Sequence, residues 1–203
     1  MDTPDVDALA RLHVACLPDS LVTVLGPRYA RSFYRYVTRS TREVTVTEHD
    51  DAGTIVAAAV VSLEPSSLNR RLMMQTSLLP SLLLNVPALL ALFRSSFGTP
   101  EDSKPSEGAP AELLGPEMIL IFTAPEVRRQ GRAAALVRRA EHRLVQLGIP
   151  AYQVRTVLSP SNRALDFYRD LKFAPAGTAV RFGTRFQVFT KQLAGEARAD
   201  DGR

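Results

Sequence analysis

The sequence predicts an α/β fold, helices packed on a mixed β-sheet, from three features of its patterning. Val44 and Val46 alternate with Thr45 and Thr47 and lead through the turn residues Asp50, Asp51, Ala52 and Gly53 into the apolar run from Ile55 to Val61. That is a hairpin whose second strand is buried on both faces. A second apolar run, Met118 to Phe122, breaks at Pro125 into a basic loop and then a long amphipathic stretch, so a strand feeds a helix. Tyr152 to Leu158 reads as a further strand, followed by a helix that carries Phe167 and Tyr168.

The other elements follow in chain order. Apolar residues at Val6, Leu9, Ala10, Leu12 and Cys16 share one helical face, with Asp5 and Asp7 at the positive end of the dipole, and Pro18 stops the helix. A second helix runs from Tyr29 to Val37, with Tyr29, Phe33, Tyr36 and Val37 spaced for one face. The helix after the basic loop is the clearest. Ala133, Leu136, Val137, Ala140, Leu144 and Leu147 fall on one side, and Arg138, Arg139, Glu141, His142 and Arg143 on the other. Gly148 caps it, and Pro150 prevents its return. Val180, Phe182, Phe186 and Val188 alternate with Arg181, Arg185 and Gln187 in a hairpin around Gly183, and Ala194 to Arg203 reads as a frayed tail.

With 203 residues, 45% hydrophobic and 23% charged, the chain predicts one domain, residues 1–193. Cys16 is the only cysteine, which excludes an intrachain disulfide, and no Cys/His cluster has zinc spacing, so no metal is expected. A cytoplasmic, reducing setting follows, and the acidic N-terminus lacks the apolar core of a secretory signal. The net charge of +4 raises the question of nucleic acid. However, the six arginines from Arg128 to Arg143 are local to one loop and its helix, and no nucleic-acid-binding motif accompanies them.

Backbone N–H groups at a helix start have no intrahelical partner and sit at the positive end of the macrodipole, so the strand–loop–helix from Glu117 to Leu147 favours a bound phosphate. Gly131 is the only glycine between Gly115 and Gly148, which excludes both the P-loop and the Gly-x-Gly-x-x-Gly fingerprint. Instead, Arg128-Arg129-Gln130-Gly131-Arg132-Ala133 resembles the Arg/Gln-x-x-Gly-x-Gly/Ala signature of the GNAT superfamily of N-acetyltransferases. Downstream, Asn162, Ala164, Tyr168 and Phe173 resemble that family's Asn-x-x-Ala-x-x-x-Tyr-x-x-x-Gly-Phe block, with Ala164 one place nearer the asparagine and Lys172 where glycine is common.

The resemblance implies a GNAT-like mixed central sheet, flanked by helices and splayed between the family's fourth and fifth strands, which correspond to Glu117–Thr123 and Ala151–Val157. It further implies acetyl-CoA as cosubstrate, its pyrophosphate wrapped by Arg128, Arg129, Gln130, Gly131, Arg132 and Ala133. The pantetheine arm would pair with backbone at Phe122, Thr123 and Ala124, and Asn162 would hold the arm or cap its helix. The family normally begins with a strand ahead of the first helix. Here only Met1 to Pro4 precede it, so that strand is absent or the start site displaced. A helical apolar insertion, 64–115, separates the family's third and fourth strands. Leu78 to Phe93 reads as a packed helical pair or homodimer surface, a lid on the acceptor pocket, or a peripheral membrane contact, and Gly98 to Pro110 as a mobile linker. Leu78 to Phe93 is shorter than the ~20 residues of a bilayer span and is interrupted by Pro80 and Pro87, so no transmembrane segment is expected.

Acetyl transfer to an amine requires that the amine lose a proton, that the oxyanion be stabilised, and that the departing thiolate be protonated. Tyr168 matches the tyrosine that the family places beside the thioester sulfur, and is the candidate acid; the alternative is a core aromatic. Glu117 matches a strand glutamate that acts through water in many relatives, and is the candidate base; the alternative is a solvated strand end. Glu64 and His13 are weaker candidates for that role, His142 lies on a polar face, and Cys16 has no activating base nearby. The sequence therefore predicts an acetyl-CoA-dependent N-acetyltransferase acting on a small-molecule amine by direct transfer in a ternary complex. A protein or peptide amine is the alternative acceptor, and a non-catalytic acyl-CoA-binding sensor or interaction module the alternative class.

Overall fold

The computed structural model describes residues 5–74, 115–181 and 183–193, without the side chains of Met73 and Arg181. The segment from Leu78 to Phe93, the linker, Met1 to Pro4, Phe182 and the C-terminal tail lie outside the described residues. Six strands, β1 (Glu43–His49), β2 (Ile55–Ser62), β3 (Glu117–Thr123), β4 (Ala151–Val157), β5 (Ala174–Arg181) and β6 (Thr184–Gln192), form one sheet in the order β1-β2-β3-β4-β6-β5. Among the described strands only β3 and β4 run parallel. The remaining neighbours are antiparallel, among them the β1–β2 and β5–β6 hairpins expected from the alternating sequence.

The helices among the described residues are α1 (Val6–Cys16), α2 (Leu21–Val24), α3 (Pro27–Val37), α4 (Pro65–Met73), α5 (Arg132–Gln146) and α6 (Ala164–Asp170). Asp5 starts α1 by accepting hydrogen bonds from the Asp7 and Ala8 amides at 2.9 and 3.1 Å. Pro27, with its φ already fixed for a helix, opens α3 two residues ahead of the expected start. The four-residue α2 is too short to show a periodicity, and α4 fills the front of the expected insertion. No helix among the described residues is long and apolar enough to cross a membrane.

Two apolar clusters cover the two faces of the sheet. Leu9, Tyr29, Phe33 and Tyr34 of α1 and α3 pack with Ala58, Val60 and Phe122 on one face, joined by Leu68 and Leu72 of α4. Leu136, Val137, Ala140 and Leu144 of α5 pack with Ala57, Ala59, Met118 and Tyr152 on the other, beside Tyr168 and Phe173. The small alternating residues of β2 admit helices to both faces, and the strand is buried along its whole length, as its unbroken apolar run predicts. Lys172, just past α6, has φ of 66°, and the next amide, Phe173, reaches back 3.0 Å to the Tyr168 carbonyl. An L-residue in that left-handed conformation costs about 1–2 kcal/mol, a strain that glycine at this place would avoid.

Candidate active site

From β3 the chain passes through a 3₁₀ turn at Pro125–Val127 and enters α5 over two left-handed residues, Arg129 (φ 62°) and Gly131 (φ 76°). Gly131 is the N-cap of α5, and no side chain caps the helix, so the N–H groups of its first turn are left to whatever approaches from outside. A Cβ built on Gly131 meets nothing within 4 Å, which means that the ground in front of this helix start is open. A positively polarised, uncapped helix end facing open space is a fitting cradle for a phosphate.

The loop's side chains are divided between that space and the sheet. Arg132 donates to the His49 carbonyl at 3.2 Å and lies 3.7 Å from the Glu48 carboxylate. Arg139 donates to the Thr47 carbonyl at 3.0 Å and lies 2.8 Å from Glu48. Both guanidinium groups therefore hold the exposed edge of β1, and Arg132 faces the phosphate cradle through its backbone N–H only. Gln130 donates to the Glu126 carbonyl at 3.4 Å, and Arg128 donates to the Thr123 carbonyl at 3.1 Å.

Beside the loop the sheet opens. β3 and β4 pair only at Glu117↔Gln153 and Met118↔Val154, whereas β3 stays paired with β2 as far as Thr123. From Ile119 to Phe122, β3 thus has no ladder partner on its β4 side, and the strands diverge into a slot that ends at the loop. The Ala124 amide is already bonded to Val56 at 2.8 Å and its carbonyl to Val127 at 3.1 Å. Together with the Arg128 bond to Thr123, this leaves Phe122, of the three expected backbone positions, as the one on the open stretch.

Tyr168 lies on α6 and is 4% exposed, with Phe167, Phe173 and Phe189 around its ring at centroid distances of 5.2, 5.4 and 6.0 Å. Burial raises its pKa above the ordinary tyrosine value, so the phenol keeps its proton throughout the neutral range. Its hydroxyl has no hydrogen-bonding partner among the described residues. Asn162 ties the end of β4 to the start of α6: its amide donates to Thr156 Oγ1 at 2.8 Å and the Val157 carbonyl at 2.6 Å, and its oxygen accepts from the Ala164 amide at 3.1 Å. Those bonds serve the strand-to-helix turn, with Arg163 rather than Asn162 as the helix N-cap.

Glu117 is buried, not a solvated strand end. Arg155 holds it through both oxygens, Nε at 2.7 Å from Oε1 and Nη2 against Oε2, and Gln153 adds a bond to Oε2 at 3.3 Å. Glu117 also belongs to a row that the sequence reading missed. Glu43 pairs in register with Ser62, Ser62 with Glu117, and Glu117 with Gln153, so one polar residue from each of four neighbouring strands lines up on one face. All four are buried. The row is closed at its outer end by Arg71, which bonds Glu43, and Ser62 donates to Glu43 at 3.3 Å. Glu64 is exposed and pairs with Arg42 and Arg71, each at 3.2 Å.

His13 is fully buried between Tyr34 and Phe122, with ring centroids 5.6 and 5.3 Å away. Its Nδ1 lies 2.6 Å from Tyr34 Oη and its Nε2 2.6 Å from Ser20 Oγ. Ser20 gives its own proton to Thr23 Oγ1 and Thr23 gives its proton to the Leu17 carbonyl, so Nε2 donates and Nδ1 accepts. The chain of bonds ends on a backbone carbonyl and ties α1, α2 and α3 together. Burial pulls the His13 pKa down to about 4, whereas the unfolded chain titrates near 6.5. The unfolded state therefore takes up the proton first on acidification, and His13's contribution to stability is complete above pH 6.5 and is lost as pH falls toward 4. Urea unfolding should show a loss of about 1.5 kcal/mol between pH 7 and 5, after allowance for solvent screening. A His13→Gln variant should lack that slope, and an equal slope in both proteins would refute the assignment. Cys16 contacts Arg128, but burial is the larger influence and pushes its thiol up, which disfavours a nucleophilic thiolate. His142 is exposed on α5.

Residues 103–173 match the family model described as Acetyltransferase (GNAT) family. Similar solved structures include the ribosomal-protein-S18-alanine N-acetyltransferase from Escherichia coli, 13% identical over 97% of this chain and 94% of that one, with a TM-score of 0.56. The structure of SsHAT is 15% identical over 96% of each chain, with a TM-score of 0.65. An aminoglycoside 6'-acetyltransferase type Ii is 10% identical over 96% and 95%, with a TM-score of 0.60. No curated protein matches the sequence closely enough to count as a relative.

Proposed function

We propose, from the match of residues 103–173 to the GNAT acetyltransferase family model, that the chain moves an acetyl group from acetyl-CoA to the primary amine of a small molecule, by direct transfer in a ternary complex. One observation carries the reading: the pairing of β3 with β4 stops after two residues, and the open strand leads directly to the uncapped start of α5. A slot with free strand edge and a phosphate cradle at its end matches an amide-containing arm attached to a pyrophosphate.

Acetyl-CoA supplies an activated acyl group on a thiol leaving group. The N–H groups of Gly131, Arg132 and Ala133 bind its pyrophosphate, with the Arg128 and Arg129 side chains offsetting charge and Gln130 bordering the loop. Phe122 offers the backbone edge, Thr123 and Ala124 carry the strand on to the loop with their bonds to Arg128, Val56 and Val127, and Asn162 keeps the facing turn in place. Tyr168 donates a hydrogen bond to the departing sulfur through a hydroxyl that no bond among the described residues uses. Glu117, already shared with Arg155 and Gln153, acts at a distance: it orders a water that carries the amine's proton out to solvent. The raised Cys16 thiol argues against an acyl-enzyme and for direct attack by the amine.

Calorimetric titration with acetyl-CoA, desulfo-CoA and ATP tests the cosubstrate. Micromolar binding of the first two and little of ATP is expected; equal binding of all three, or of none, would sink the reading. Among the similar structures, one is named for an aminoglycoside and one for the alanine of a ribosomal protein, so the acceptor screen includes both chemistries. Acceptor-dependent release of free thiol then separates an enzyme from a module that only binds acyl-CoA.

A further inference from the structure

Between the C-terminal half of α3, the turn into β1 and helix α4 lies a cavity of about 440 Å³. Each residue lining it carries either a guanidinium or a hydroxyl group. Arg35, Arg39, Arg42 and Arg71 supply the first, and Ser32, Tyr36, Ser40 and Thr41 the second. Guanidinium forks combined with hydroxyl donors are the chemistry that recognises a phosphate group.

The charges there are only partly balanced. Arg42 shares Glu64, and Arg71 is held by Glu64 and the buried Glu43. Arg71 Nε donates to Tyr36 Oη at 2.7 Å, which leaves the Tyr36 proton to be given elsewhere. Arg35 and Arg39 find neither a carboxylate nor a side-chain hydrogen bond among the described residues. Arg35 lies in the last turn of α3 and Arg39 in the turn just past it, and the fold brings two further arginines to the same cavity, so four like charges repel there. A bound anion would offset that repulsion.

The cavity adjoins Glu43 at the start of β1, the end of the sheet where Glu43, Ser62 and Glu117 pair. The α5 loop adjoins the other end, where Glu48 pairs with Ala57 and Ala57 with Thr123. The two ends, Glu43 and Glu48, are five steps apart along β1, about 17 Å, so a phosphate in one site is not in reach of the other. We propose that this cavity is a second anion site, taking a phosphate monoester or inorganic phosphate independently of the α5 loop.

Protein-observed NMR of the full chain tests it, with inorganic phosphate and glycerol 3-phosphate as soluble probes and phosphatidic acid in phosphatidylcholine vesicles as the lipid probe. Saturable shifts are expected at the Ser40, Thr41 and Arg42 amides. Because Arg35 and Arg39 are exposed, the double variant Arg35→Gln, Arg39→Gln should fold normally, bind the probe at least about tenfold more weakly, and keep its acetyl-CoA affinity. Arg11→Gln, an equal charge change per site on exposed α1, should leave phosphate binding unchanged. Binding of the soluble probes would assign a free phosphate ester, and binding of the vesicles alone a lipid headgroup, provided that the double variant abolishes it. Shifts confined to residues 129–134, shifts that persist in the double variant, or no saturable shift with any probe would overturn the proposal.

Discussion

Gly131→Glu should lower acetyl-CoA affinity by about a hundredfold or more and leave the fold in place. The side chain has room, since nothing lies within 4 Å of the added Cβ, so the loss would not come from a clash inside the protein. It comes from the space in front of α5, where the carboxylate would occupy the approach to the open N–H groups and repel a pyrophosphate across a few ångströms. The left-handed φ of 76° adds about 1–2 kcal/mol of strain, a drop in melting temperature of several degrees but no loss of structure. Calorimetry and circular dichroism on the same preparation check both halves. Unchanged affinity in a folded variant would remove the loop from the cofactor site.

Tyr168→Phe should lower kcat about a hundredfold with little change in the KM for acetyl-CoA. The ring would keep its contacts with Phe167, Phe173 and Phe189, and the lost hydroxyl bonds nothing in the described structure, so stability should hardly move. The raised pKa also sets a pH signature. A phenol that stays protonated well past pH 10 imposes no alkaline limb on kcat in the working range, in the parent protein or in the variant. Single-turnover thiol release measures the effect, and equal rates for the two proteins would return Tyr168 to the core.

Much of this was legible because periodicity reports which face is buried. α1 matches its expected bounds, and β2 was readable as buried on both faces because no polar residue interrupts Ile55 to Val61. The strand–loop–helix at Glu117 was legible for a different reason: Pro125 and Gly131 are punctuation that the backbone has to obey. What stayed hidden depends on pairing across the chain. Nothing around Glu117 announces that Arg155 will hold it, since the two meet only after β3 and β4 have aligned. His13 looked like an isolated helix residue because its partners, Ser20 and Tyr34, come from the next two helices. The four-arginine cavity is likewise invisible in sequence, its members being spread from Arg35 to Arg71.

The polar row from Glu43 through Ser62 and Glu117 to Gln153 has a consequence for how the sheet chooses its alignment. Side chains alternate along a strand, so sliding β3 by a single residue would send Glu117 to the opposite face, among Met118, Leu136 and Val154, out of reach of the Arg155 fork. Burying that carboxylate alone would cost several kcal/mol, more than the apolar contacts of a misaligned sheet could return. An all-apolar row would accept such a slip with little penalty. The four polar residues thus make a one-residue slip of the central strands expensive, and favour the arrangement in which β3 and β4 touch for two residues and then separate.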